Sequence, residues 1–195
     1  GEPPFHEPGL EVLLRKHLGT GNFQLQTELA TAIREATVLF ICVPTPEQED
    51  GSVDLSYLDS ICKVIASNIN GYKLIVEKST SPVQTAQSIK NNIARYISAA
   101  TIGSNPSPHH LDVAVNPEFL REGDALHDFF NPDRIVLGIE SQQSLDILLE
   151  IYQPLLDRIN STVEESVLIT DPNTAEMIKH SSNAMLATRI SFANM

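Results

Sequence analysis

Basic residues are scarce in this chain of 195: 13 Lys and Arg stand against 25 Asp and Glu, a formal charge of −12 at pH 7. That balance argues against nucleic acid or an anionic membrane surface as partner, because both need a basic face. It leaves open an anionic small ligand held by a local cluster of donors. Cysteine is scarcer still, at two residues, which makes no disulfide framework and suits a reducing, cytoplasmic setting. No apolar run approaches the roughly 20 residues of a membrane-spanning helix, and residues 1–7 have no signal-peptide character. Gly19-Thr20-Gly21 lacks a third glycine and follows no strand, so it is a turn and not a dinucleotide-binding fingerprint. His109-His110 has no partner at metal-ligand spacing, and no metal site is expected.

What is present is a globular composition, 42% hydrophobic and 19% charged, long enough to bury a core without staples. Short β-branched runs at Val38–Val43, Lys73–Val76, Leu111–Val115 and Ile135–Leu137, with a weaker one at Val167–Ile169, read as strands buried on both faces. Between them lie apolar residues at helical spacing: Leu55 to Ile69, Ile89 to Ile97, and Leu145 to Leu156. The alternation predicts an α/β fold with a parallel sheet. Residues 103–110 read as an exposed loop. Asp171 and Pro172 then open a stretch to Met195 free of Gly and Pro. A helix of that length runs on the order of 35 Å, long for a crossover. It suggests a connecting or dimerising helix, and a division into residues 1–170 and 171–195.

Four segments carry candidate chemistry. Val43-Pro44-Thr45-Pro46 follows the first strong strand, where α/β sheets bind ligands; a stiff turn is the alternative. Glu77 to Pro82 (EKSTSP) follows the second. There Thr80 or Ser81 can cap a helix opened by Pro82, and the free N–H groups make a phosphate or water site. Asn116 to Gly123 (NPEFLREG) follows the third; in a helical turn Glu118 and Glu122 share a face, as an acid/base pair or as a solvated helix start. On the long helix, Glu176, Lys179 and Asn183 share a stripe. A Lys and an Asn there can stabilise a developing alkoxide, or simply be solvated. Cys42 and Cys62 both read as core residues.

Together these segments resemble the UDP-glucose/GDP-mannose dehydrogenase family. The matching stretches are EPGL at Glu7–Leu10, FICVPTP at Phe40–Pro46, EKSTSPV at Glu77–Val83, VNPEFLREG at Val115–Gly123, NPDRIVLG at Asn131–Gly138, TAEMIKHSSNA at Thr174–Ala184 and LATRISFAN at Leu186–Asn194. NPDRIVLG is more similar to the UDP-glucose branch. The resemblance implies a Rossmann-like sheet lacking its first βαβ unit, followed by the start of a central helix. It implies oxidation of a nucleotide-sugar primary alcohol to a carboxylate with two NAD in succession, through a Cys thioester whose Cys lies outside this chain. In that family's terms Lys179 and Asn183 bind substrate and stabilise oxyanions, Thr80 holds water, and Glu118 positions substrate and water. Val43, Thr45, Ser79 and Glu122 line the cofactor side, and Phe119 and Leu120 contact the nucleotide sugar. Ser81 departs from the pattern, which has an apolar residue there. Homo-oligomerisation through the central helix is also implied. The segment alone is expected to be inactive. GDP-mannose, another UDP-sugar, or a non-catalytic nucleotide-sugar-binding role remain alternatives.

Overall fold

The computed structural model describes residues 3, 5–100 and 111–195. The loop expected over 103–110, with His109 and His110, lies outside the described residues. Five strands form one sheet in sequence order: β1 Val38–Ile41, β2 Lys73–Glu77, β3 Leu111–Val115, β4 Ile135–Gly138 and β5 Val167–Thr170. All five expected strands form, the weak one included. Pairing is parallel from β1 to β3 and again between β4 and β5. β3 meets β4 antiparallel, through Val115 and Gly138, so the sheet is mostly and not wholly parallel.

Side chains alternate across the sheet with period two, and both faces are covered over its middle strands, while Phe40 of β1 and Leu168 and Ile169 of β5 stay exposed. Ile75, Val113, Val115 and Val136 join one core with Leu58, Cys62 and Ile65 of α3 (Ser56–Asn68) and Ile89 and Ile93 of α4 (Thr85–Ala100). Leu74, Val76, Ala114, Ile135 and Leu137 join the other, with Leu148, Tyr152, Leu155 and Leu156 of α6 (Gln142–Ile159). β2 is buried at every position. That is why its middle, Leu74–Val76, reads as an unbroken apolar run and not as an alternation.

Four helices have too little buried apolar face to announce themselves. They are α1 (Leu10–Leu18), α2 (Leu29–Glu35), α5 (Ala125–Phe130) and α7 (Val163–Ser166). α1 and α5 bury no residue fully. Cys62 is core as expected, and burial pushes its thiol up to about 12. Cys42 is not. β1 stops at Ile41, and Cys42 lies exposed beyond it.

The long helix is α8 (Pro172–Ala193). Asp171 caps it by accepting the Thr174 N–H at 3.0 Å, and Pro172 opens it. Its first turns lie against β4 and β3. Gly138 permits the approach: a Cβ there would stand 2.6 Å from the Ala175 Cβ and 2.8 Å from the Pro172 Cα. Ala175, Glu176 and Lys179 are buried, whereas from Asn183 onward every residue is exposed.

Candidate functional site

The parallel strands end on one side of the sheet, and the loops that follow β1 and β2 are tied together there. The Ser79 hydroxyl donates to the Val43 carbonyl at 2.8 Å, and the Thr45 hydroxyl donates to the Thr80 carbonyl at 2.7 Å. Pro44 and Pro46 offer no N–H to such a tie, so carbonyls and hydroxyls carry it. Four candidate residues are thus brought together.

The helix after EKSTSP does not begin as the sequence suggested. α4 starts at Thr85, and neither Thr80 nor Ser81 caps it. Its first N–H groups, at Gln84 and Ala86, donate instead to Glu176 of α8, at 2.6 and 2.8 Å. A cap that comes from a residue 90 or more positions away leaves no local signal. Ser81 is buried and donates to Glu77.

The 116–123 segment is not helical either. Glu118 and Glu122 therefore do not share a helix face. Glu118 turns back to accept the Leu120 N–H at 2.6 Å and faces α8, where Lys179 donates to its Oε1 at 3.0 Å and also to its backbone carbonyl. Lys179 lies 5.3 Å from the centre of the Phe119 ring, and Arg134 lies 4.8 Å from it. Both are cation–π contacts. Glu122 is exposed in the turn closed by Gly123, whose φ of 82° suits glycine. Of the Glu176–Lys179–Asn183 stripe, the first two point inward to separate partners, and Asn183 is exposed.

Several residues that hold this segment were given no role from the sequence. Asn116 is buried and donates to the Val136 carbonyl at 3.0 Å, while its own side-chain oxygen accepts from Lys78 at 3.0 Å and from the Tyr152 hydroxyl. Burial lowers the pKa of Lys78 and raises that of Tyr152 to about 12. Arg121 binds Asp128 through Nε (3.0 Å) and Nη2 (2.6 Å), and Asp124 through Nη2 (2.7 Å). Those contacts hold Asp128 down to about 2. Glu7, of the EPGL stretch, accepts the Gly123 and Leu126 N–H groups at 3.1 and 3.2 Å. None of these partners is near in sequence except Asp124 and Asp128, so periodicity could not pair them.

A cavity of about 560 Å³ opens over this segment, lined by Glu118, Phe119, Leu120, Lys78 and Arg134 among others. Charges of both signs line it: Lys78, Arg121 and Arg134 stand with Glu118, Asp128 and Asp133, and Arg121 is already paired with Asp128. A second, apolar cavity of about 460 Å³ lies beside Phe40 and Cys42, where α6 leaves the face of β1 uncovered.

Known proteins are similar to this chain in sequence and in fold. Over the whole of this chain, the UDP-glucose 6-dehydrogenase TuaD of Bacillus subtilis is 37% identical, and the match covers 39% of that protein. A UDP-glucose 6-dehydrogenase of Rhizobium meliloti is 36% identical, with 42% of its length covered. The crystallised UDP-glucose dehydrogenase of Pyrobaculum islandicum superposes on 99% of the chain with a TM-score of 0.85 at 35% identity, covering 42% of that structure. The GDP-mannose dehydrogenase of Pseudomonas aeruginosa does so on 99% with a TM-score of 0.84 at 31% identity, again covering 42%. This chain thus spans less than half the length of these relatives. Residues 1–156 match the NAD binding domain of the UDP-glucose/GDP-mannose dehydrogenases, and the chain belongs to that family.

Proposed function

We propose that this chain is part of an NAD-dependent dehydrogenase that oxidises the C6 alcohol of UDP-glucose to the carboxylate of UDP-glucuronate. The observation that carries it is the meeting of Lys179 and Glu118, 61 residues apart, beside the loops that close β1 and β2. The UDP-glucose dehydrogenases among its relatives support the same assignment.

The residues present fit NAD over part of its length. The Val43 carbonyl and the Thr45, Ser79 and Thr80 groups form a polar rim at strand ends, where α/β sheets hold dinucleotides. No stretch of this sequence is a glycine-rich G-x-G-x-x-G turn for the pyrophosphate, so that contact is assigned to the rest of the protein. NAD, when bound, supplies the hydride acceptor.

The chain's own residues act on the sugar. The Lys179 ammonium stabilises negative charge developing on the C6 oxygen. Asn183, one turn further along α8, adds a hydrogen bond to the same oxygen. Glu118 orients Lys179 and takes a proton from substrate or water. Thr80 offers its hydroxyl to the water that supplies the second carboxylate oxygen. Phe119 and Leu120 present the floor of the cavity to the nucleotide sugar, and Glu122 joins the cofactor side. The thiol that traps the aldehyde comes from outside this chain.

The buried start and exposed remainder of α8 support a boundary near residue 171, with α8 opening a second unit and joining copies of the protein. No helix among the described residues is long and apolar enough to cross a membrane. The two free cysteines support a cytoplasmic setting.

GDP-mannose or another UDP-sugar is the second reading, favoured by the superposition on the GDP-mannose enzyme. Steady-state rates of the full-length protein with UDP-glucose, other UDP-sugars and GDP-mannose test both. The highest kcat/KM with UDP-glucose is expected. A clear preference for another nucleotide sugar overturns the UDP-glucose assignment, and no NADH from any of them overturns the dehydrogenase assignment.

A further inference from the structure

Two glutamates outside the reacting groups are buried together where β2, α4 and α8 meet. Glu77, the last residue of β2, is 1% exposed, and Glu176, in the second turn of α8, is 3% exposed. Placing two carboxyls out of water is costly unless their charge is met. For Glu176 it is met: its two oxygens accept the Gln84 and Ala86 N–H groups at the start of α4, a position where a helix favours a carboxylate. For Glu77 it is not. Its Oε1 accepts only from the Ser81 hydroxyl, and its Oε2 receives no donor.

Every charged or titratable group around Glu77 is committed elsewhere. Lys78 turns to Asn116, on the opposite side of the strand from Glu77. Lys179 turns to Glu118. His180, on α8, is bound through Nε2 to the Ser81 carbonyl. Cys42, in the loop after β1, lines the apolar cavity together with Lys78. The titratable group that bears on Glu77 is Glu176, which raises the Glu77 pKa through its charge and through hydrogen bonding. A buried carboxyl facing an anion, with no cation, holds its proton.

We propose that Glu77, as the neutral acid, donates its proton to the Glu176 carboxylate, and that this shared-proton pair positions α8 against the 78–81 segment. The pair spans the two halves of the site. One helical turn beyond Glu176 lies Lys179, and three residues beyond Glu77 lies Thr80. Glu176 also fixes the start of α4, and His180 closes the same contact from the next turn. Glu77 and Glu176 are positioning residues: they touch neither cofactor nor sugar. Their effect on catalysis rests on the dehydrogenase assignment above; the proton itself does not.

Burial and the neighbouring Glu176 raise the Glu77 pKa from the ordinary 4.5 to about 9. The unfolded chain gives up this proton near 4.5, while the folded one keeps it to about 9. Between those values the folded state binds more protons, so stability falls as pH rises. Glu77→Gln keeps a donor to Glu176 and has no proton to lose, so it removes that slope.

The test uses the full-length protein and two readouts that need no substrate. In the wild type, infrared difference spectroscopy across a titration from pH 6 to 10 should show a protonated carboxyl band at pH 7 that disappears near pH 9. Glu77→Gln should lack the band, and its Tm should gain on the wild type progressively from pH 5 to pH 9. A wild type without the band at pH 7 overturns the proposal, and so does a Glu77→Gln variant whose Tm runs parallel to the wild type. If both readouts succeed in a protein with no dehydrogenase activity, the pair stands and the assigned reaction falls. In an active protein, kcat should decline above pH 9 in the wild type and persist in Glu77→Gln. An identical decline in both overturns the positioning role.

Discussion

Lys179 on α8 and Glu118 beyond β3 form an ion pair at 3.0 Å, with the Lys179 side chain 9% exposed and Glu118 33%. A second bond from the same ammonium to the Glu118 carbonyl fixes its direction. The helix and the strand-end segment therefore hold one another, and the cavity over 116–120 is framed by that contact.

Removing the ammonium tests its role in the transition state. Lys179→Ala in the full-length protein should lower kcat by about 10²–10³, the loss found for a single oxyanion donor, with KM for NAD little changed. Steady-state kinetics check this. A change confined to KM refutes the role.

Glu118→Gln keeps the shape and removes the charge. The amide oxygen still accepts from Lys179 but no longer offers it a countercharge, and destabilisation of about 1 kcal/mol is expected from the weaker, singly charged hydrogen bond. Denaturant melts of the two proteins measure it, and equal midpoints contradict it.

The tie between the β1 and β2 loops depends on Thr45. Thr45→Val leaves the Thr80 carbonyl without its donor, and should raise KM for NAD several-fold with a smaller effect on kcat. An unchanged KM removes Thr45 from the cofactor rim.

Gly138 allows α8 to rest on β4. Gly138→Ala inserts a methyl 2.6 Å from the Ala175 Cβ, and overpacking of this kind costs about 1–3 kcal/mol. A lowered Tm is expected, together with reduced turnover, because the start of α8 carries Lys179. A variant as stable as the wild type shows that the helix can shift at no cost.

β1 is an edge strand among the described residues, and Phe40 within it is 40% exposed. Such an edge invites pairing with another chain. The 195-residue segment expressed alone should self-associate, as read by light scattering. A monodisperse monomer with a cooperative melt argues that the edge is protected.

The strands were legible because each has a short apolar, mostly β-branched run at its middle, as a strand buried on both faces requires. LIV within KLIVE and VAV within LDVAV carry that requirement, while Lys73, Glu77 and Asp112 depart from it. α3, α4 and α6 were legible by spacing, and α8 by its Asp171-Pro172 start and the stretch free of Gly and Pro that follows. α1 was not, because it buries nothing fully and so imposes no pattern. Val43, Thr45, Ser79 and Thr80 were recognisable as a group at strand ends, yet their bonds to one another were not. Glu7, Asn116, Lys78 and Tyr152 went without roles for the same reason.

By itself the sequence determined the order of strands and helices, the family motifs and the side of the sheet on which they gather, since all these follow from local burial and cap chemistry. Only the tertiary structure decided partners. It moved the cap of α4 from Ser81 to Glu176, turned Glu118 toward Lys179 instead of Glu122, and set Glu77 against a second carboxylate. Each of those contacts joins residues that periodicity does not couple, and each depends on where α8 lands on the sheet.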